Sequence, residues 1–188
     1  MKILTLDGET RLAASQVEGG WDNIPGMGLS VLGIEWQEGA QAHPGIYLPQ
    51  DNVAKSVSKV DQWSHAGIQE ILDAADLILT FNGERFDFPL LAGAGFNVEH
   101  ALDVHYDLLI EYAKAKQGRS DPWDPPYQEW EQALTIDAAN RISLQSLANA
   151  LGVPNANTNS ALMPQYWQGG RQLEILRSQG MDATGELI

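Results

Sequence analysis

A chain of 188 residues with 44% hydrophobic content is large and apolar enough to bury a core, and a single domain over 1–188 is the expectation. The absence of cysteine excludes a disulfide scaffold, thiolate metal ligation and a cysteine nucleophile. A formal charge of −14 excludes a broad basic footprint on duplex nucleic acid, because neutralising phosphates needs clustered Lys and Arg.

The first residues, Met1 to Asp7, meet an acid too early for a secretory apolar segment, and no apolar run approaches the ~20 residues that span a bilayer. The expectation is a soluble, cytoplasmic protein with no membrane contact. Lys2 to Leu6 reads as a short buried strand, Leu29 to Trp36 as a second and Gly45 to Leu48 as a third. Gly19 to Gly26, rich in Gly, Asp, Asn and Pro, reads as a loop longer than a tight hairpin requires. From Gln62 the pattern changes. Ile68, Ile71, Leu72 and Ala75 recur at i, i+3, i+4 and i+7, the stripe of an amphipathic helix, and Asp76 to Phe81 then reads as a strand. This order predicts an α/β chain with a mixed sheet flanked by helices.

The remainder reads as mainly helical. His105, Leu108, Leu109 and Tyr112 fall on one helical face. Leu144, Leu147, Ala148 and Leu151 fall on another, with Ser143 as N-cap and Gly152 then Pro154 as the stop. Ser120 to Tyr127 is a Pro-rich connection in which Asp124 is placed to cap a helix starting at Pro125, and its aromatics are read as packing groups. Trp167 to Thr184 reads as a terminal helix, with Ile175 and Asp182 seven apart and so on one face.

Carboxylates carry the chemistry. Asp7 and Glu9 stand two apart at a strand end, so both side chains leave the same face of the sheet. Water relieves such a pair at a solvated strand end, and a hard divalent cation requires such a pair as oxygen ligands. Asn82-Gly83 is a turn signal, after which Asp87 opens a helix whose apolar face is Phe86, Leu90 and Leu91. An acid in the first turn of a helix is favoured by the macrodipole alone. Asp182 taken singly is an ordinary helical acid.

Taken together, these segments resemble the DEDD-type 3′-5′ exonucleases of the ribonuclease H-like superfamily. Ile3 to Thr10 resembles the first motif, Asn82 to Leu91 the second and the segment around Asp182 the third, in the family's order. The helix from Ser143 resembles the one preceding the third motif, and Asp107 sits where such families often carry an acid beside the site. The resemblance implies a ribonuclease H-like fold. It implies that Asp7, Glu9, Asp87 and Asp182 hold two Mg²⁺ or Mn²⁺ ions and act in two-metal hydrolysis of the phosphodiester at the 3′ end of single-stranded DNA or RNA. It also implies that Gly8, Thr10, Asn82 and Phe86 lie near the terminal nucleotide.

The chain departs from the family where active members place a Tyr or His four or five residues before the last Asp. Those positions are Ser178 and Arg177. Ser178 lies one helical turn before Asp182 and is able to hydrogen-bond water, but a neutral hydroxyl is a poor proton acceptor near pH 7. His65, His100 and His105 are alternative bases by residue type only, each read more readily as a packing or surface histidine. The alternative to an exonuclease is therefore a catalytically impaired domain of the same fold that binds nucleic acid or a protein partner. An endonuclease or another carboxylate-metal phosphohydrolase is a further alternative.

Overall fold

The computed structural model describes residues 1–49, 61–116, 142–152 and 162–169. Within them the chain is α/β, a mixed sheet flanked by helices. The sheet order is β4-β3-β2-β1-β5-β6, in which β1 (Lys2–Thr10) and β2 (Leu29–Glu38) are antiparallel, as are β2 and β3 (Gln41–Tyr47). The two-residue β4 (Asp61–Gln62) runs parallel to β3 at that edge. On the other side β5 (Leu77–Thr80) runs parallel to β1, and β6 (His105–Asp107) parallel to β5.

The strands are longer than their apolar runs. β1 continues past Leu6 through Asp7, Gly8, Glu9 and Thr10 because each has a partner in β2, Asp7 opposite Gly33 and Glu9 opposite Val31, until the register shifts between Glu9 and Thr10. The centre of β2 is buried on both faces, Val31, Leu32 and Ile34 included, the pattern of a strand covered from two sides. β3 starts at Gln41, before the expected Gly45, and contains Pro44. Among the described residues β4 pairs only with Gly45 and Ile46, so Pro44 has no ladder partner on that side and its missing N–H is tolerated.

Helix α2 (His65–Ala74) follows the predicted stripe. Ser64 caps it, its Oγ accepting from the Gly67 N–H at 3.0 Å, and Ile68, Ile71 and Leu72 are buried against the sheet. The Gly-rich stretch between β1 and β2 is not open loop: it holds short 3₁₀ turns, Ala14–Gln16 and Gly20–Asp22, and the one-turn helix α1 (Ile24–Met27). Helix α3 (Asp87–Gly93) lies under α1, so close that a Cβ on Gly93 would stand 2.8 Å from the Pro25 Cα. Phe88, Leu90 and Leu91 of α3 are fully buried and join Leu4, Leu6, Met27, Leu29, Ile68 and Leu72 in one core.

One sequence expectation fails outright. His105 is not on a helix with Leu108 and Tyr112; it belongs to β6, opposite Ile78, and α5 (Leu108–Lys116) starts only at Leu108, after the short helix α4 (Glu99–Asp103). Helix α6 (Leu144–Ala150) has the expected cap, Ser143 Oγ accepting from the Ser146 N–H at 3.1 Å, and the expected stop at Gly152 with φ +69. None of its residues is buried, and Leu144 and Leu151 of its stripe are exposed. Trp167 is the penultimate residue of a short helix, α7 (Met163–Gln168), with Gly169 in the turn after it, so it does not begin a long one. The Pro-rich connection with Asp124, Pro154 and the segment bearing Ser178 and Asp182 lie outside the described residues.

Ile78 is wholly buried at the centre of the parallel half of the sheet. Ile78→Ala is expected to destabilise the fold by about 2–5 kcal/mol through lost burial and the cavity left behind, read from urea unfolding midpoints at unchanged slope.

Candidate active site

The parallel strands β1, β5 and β6 all end on one side of the sheet, where open α/β sheets gather ligand sites. Their last residues bring Asp7, Glu9, Thr80 and Asp107 to that edge. Past Thr5, β1 has no ladder partner in β5, whose pairing stops at Leu79 opposite Thr5. The Gly8 N–H, unclaimed by β5, donates instead to Asp87 Oδ1 at 2.8 Å, a buried bond linking β1 to the first residue of α3. Gly8 eases that approach, since a Cβ there would stand 3.2 Å from both Asp87 Oδ1 and Leu90 Cδ2, and those side chains would have to give by a few tenths of an ångström.

The turn from β5 into α3 is built to deliver Asp87. Asn82 has φ +66, in the left-handed region where Asn is the most tolerant residue after Gly. The Gly83 N–H donates to Thr80 Oγ1 at 3.1 Å, and a Cβ at Gly83 would collide with the Thr80 side chain. The Gly83 carbonyl accepts from Phe88 N at 2.8 Å, and the Asn82 carbonyl from Phe86 N at 3.1 Å. Asp107 braces the same turn from β6. Its Oδ1 accepts from the Asn82 N–H and the Leu109 N–H, both at 2.9 Å, while its Oδ2 is buried with no hydrogen-bond partner.

The structure thus brings together Asp7, Gly8, Glu9 and Asp87, with Asn82 and Phe86 in the turn that leads to Asp87 and Thr10 buried at the end of β1. Phe86 lies half-buried just before α3, its ring 6.4 Å from that of Trp21. Asp182 and Ser178 lie outside the described residues. The sequence marks Asn82-Gly83 as the turn and Asp107 as an acid beside the site, but shows neither the double backbone clamp by Asp107 nor the support of Gly83 by Thr80. The only signal for Thr80 was its place three residues before Gly83.

Of the histidines, His65 stacks on Phe96 at 4.0 Å between ring centroids, and His100 Nε2 lies 3.0 Å from the Ala75 carbonyl oxygen. Both are engaged in packing and backbone contacts. His105 stands at the site edge, its Nε2 2.7 Å from Thr80 Oγ1 and its ring edge-on to Phe88. Burial lowers its pKa, opposed by the nearby Asp107 carboxylate.

The acids repel one another's ionisation. Glu9 is 6% exposed, and burial, then the charges of Asp7 and Asp87, push its carboxyl from 4.5 to about 9. Asp87, 2% exposed, is raised well above the usual carboxylate range by burial, then by Asp7 and Asp107, with the Gly8 N–H pulling the other way. Asp7 stands at the solvent-exposed rim, with enough protein around it for desolvation to push its carboxyl up to about 6. Oxygen donors of this kind suit Mg²⁺ or Mn²⁺. In the arrangement seen, no group of three or more His, Asp or Glu side chains able to hold a metal ion occurs among the described residues.

No protein-family model matches the chain, and no curated protein matches it. Among the described residues no helix is long and apolar enough to cross a membrane.

Two outcomes follow from this geometry. A carboxyl whose pKa is higher folded than unfolded favours the fold while protonated. That contribution is whole below about pH 4 and is lost as pH rises through about 6 at Asp7 and about 9 at Glu9. Thermal melts in EDTA are therefore expected to fall steadily over that window, and Glu9→Gln, neutral throughout, to flatten the decline; equal slopes in both proteins would contradict the electrostatic account. Asp107→Ala strands two backbone N–H groups and is expected to cost about 1–3 kcal/mol, whereas Asp107→Asn retains an acceptor oxygen and most of that stability in the same unfolding assay.

Proposed function

We propose that the chain is a metal-dependent 3′-5′ exonuclease of ribonuclease H-like fold, acting on single-stranded DNA or RNA. The observation that carries this reading is the meeting of Asp7 and Glu9, late in β1, with Asp87 at the start of α3, each with its pKa raised, two of them buried. A structural edge has no use for acids that oppose one another's charge, whereas a divalent cation turns that repulsion into attraction.

Asp7, Glu9 and Asp87, completed by Asp182, would hold the ions. When bound, Mg²⁺ or Mn²⁺ supplies a lowered water pKa and charge stabilisation at the phosphate. The protein's own residues do the rest. The Gly8 N–H fixes Asp87 at the start of α3, and the turn clamped by Thr80 and Asp107 fixes α3 against β1. Asp107 Oδ2, buried and unpartnered, adds negative potential to the same edge. The formal charge of −14 favours a local grip on a strand end over a long contact with duplex.

The test is a gel time course of 5′-labelled single-stranded DNA and matching RNA with Mg²⁺ or Mn²⁺. A ladder shortening from the 3′ end is expected, lost in EDTA and slowed roughly 10²-fold or more in Asp7→Ala, as removal of several kcal/mol of charge stabilisation requires. Cleavage of circular single strands would point to an endonuclease instead. Metal binding with neither substrate cut would transfer the reading to a non-cleaving domain that binds nucleic acid or a protein partner.

A further inference from the structure

Among the described residues Trp21 is the bulkiest apolar side chain left open to solvent, 72% exposed. It does not sit on a loose tip. The turn that carries it, Gly20–Asp22, is closed by the Asp22 N–H to the Gly19 carbonyl and the Asn23 N–H to the Gly20 carbonyl, both 3.1 Å. Asn23 ties it on both sides, donating from Nδ2 to the Glu18 carbonyl at 2.9 Å and accepting at Oδ1 from the Gly26 N–H at 3.1 Å. The following α1 is pressed on α3 at Gly93. A braced turn thus holds an exposed indole 6.4 Å from the Phe86 ring, tilted by 48°, and Phe86 immediately precedes Asp87.

Two physical facts select the occupant. The indole offers a large π face that stacks on any nucleobase without a hydrogen-bond code. The chain, at −14, lacks the surplus of cations that gives most strand-binding proteins their phosphate-derived affinity, so attraction for a strand has to come from a contact that does not depend on charge. We propose that Trp21 stacks on the base at the 3′ end of a single strand, with Phe86 buttressing the indole from behind, so that the terminal phosphodiester is held over the acids beside Asp87. The proposal rests on the nuclease reading of those acids, and it makes Trp21 a base-binding residue tolerant of base identity.

The test is fluorescence anisotropy of a 5′-labelled oligothymidine, and of the same oligonucleotide with an abasic residue at its 3′ end, in EDTA and in Ca²⁺, with the strand verified intact on a gel. Wild type, W21A and W21F are compared. Stacking of one base on an aromatic side chain corresponds to about 5- to 150-fold in affinity. W21A is expected to weaken binding by that order, and W21F to retain most of it. The abasic end is expected to weaken wild type by a similar factor and W21A hardly at all, and wild-type affinity to change little with salt. Trp21 contributes little to the core, so W21A is expected to melt near the wild type; should it not, the abasic comparison in wild type and W21F decides. Equal affinity of wild type and W21A, or equal loss of affinity by both at the abasic end, overturns the stacking. If cleavage proceeds in that case, the nuclease reading stands alone. Trp21-dependent binding without cleavage in Mg²⁺ or Mn²⁺ removes the hydrolysis and leaves the strand recognition. No binding by wild type in either condition overturns both.

Discussion

The buried hydrogen bond from the Gly8 N–H to Asp87 Oδ1 is the contact on which the rest of the site depends. It exists because β1 is longer than β5. Past its last pair with β5, Thr5 opposite Leu79, β1 continues for a further five residues along β2, and its free edge needs acceptors that a strand no longer supplies. An unpaired buried N–H is costly, and Asp87 at the start of α3 answers it. The same bond sets the height of α3 against the sheet, and through it the burial of Phe88, Leu90 and Leu91. Glycine is the residue that admits this approach, as the 3.2 Å clearances to Asp87 Oδ1 and Leu90 Cδ2 show. A larger apolar residue between Asp7 and Glu9 would press first on the Asp87 and Leu90 side chains.

The arrangement sets stability against charge. A protein interior accepts a carboxylate only with partners, and here the carboxylates oppose one another. Glu9 lies near two acids, and no hydrogen bond of its side chain offsets them among the contacts that set its pKa. Asp87 is better supplied, with the Gly8 N–H stabilising its anion, yet burial and Asp7 still dominate. The two acids thus differ: Asp87 is a structural acceptor and a charged group together, whereas among the described residues no hydrogen bond ties the Glu9 side chain. It is Glu9, therefore, that most needs an explanation in terms of function.

Much of this was legible in the sequence, and the exceptions have physical causes. Asn82-Gly83 punctuates the chain and Leu90 and Leu91 form a buried helical face, which together put Asp87 at a helix start; Phe86 stands just before the helix rather than on it. Asp7 and Glu9 were placed on one face of a strand, but the strand was ended at Leu6, because the polar run Asp-Gly-Glu-Thr carries no apolar signal. What keeps it extended is non-local, the pairing with Val31 to Gly33 across the sheet. His105 to Asp107 is too short for either periodicity to register, so it was absorbed into the adjoining helix. The stripe of Leu144, Leu147, Ala148 and Leu151 was real as a helix and silent about burial, since periodicity states which face is apolar and not what meets it. The clamp by Asp107 was invisible for the same reason: two N–H groups from residues 25 and 2 positions away converge on one oxygen.

The spacing of Asn-Gly-Glu-Arg-Phe-Asp follows from the turn it makes. β5 ends at Thr80, whose hydroxyl must take the Gly83 N–H; residue 83 must therefore lie against Thr80, with no room for a Cβ. Reaching that position in three residues forces Asn82 to positive φ, which Asn and Gly tolerate best. Its N–H then faces β6, where Asp107 accepts it. With Gly83 fixed, its carbonyl receives Phe88 N and so starts α3, which leaves Asp87 as the first residue of the helix, within reach of β1. Insert one residue and the acid would swing about 100° around the helix axis, losing the Gly8 N–H and gaining nothing in return. The position of the acid is thus dictated from β5 and β6, strands that supply none of the three carboxylates with raised pKa, and the motif is a device for aiming one side chain at a neighbouring strand.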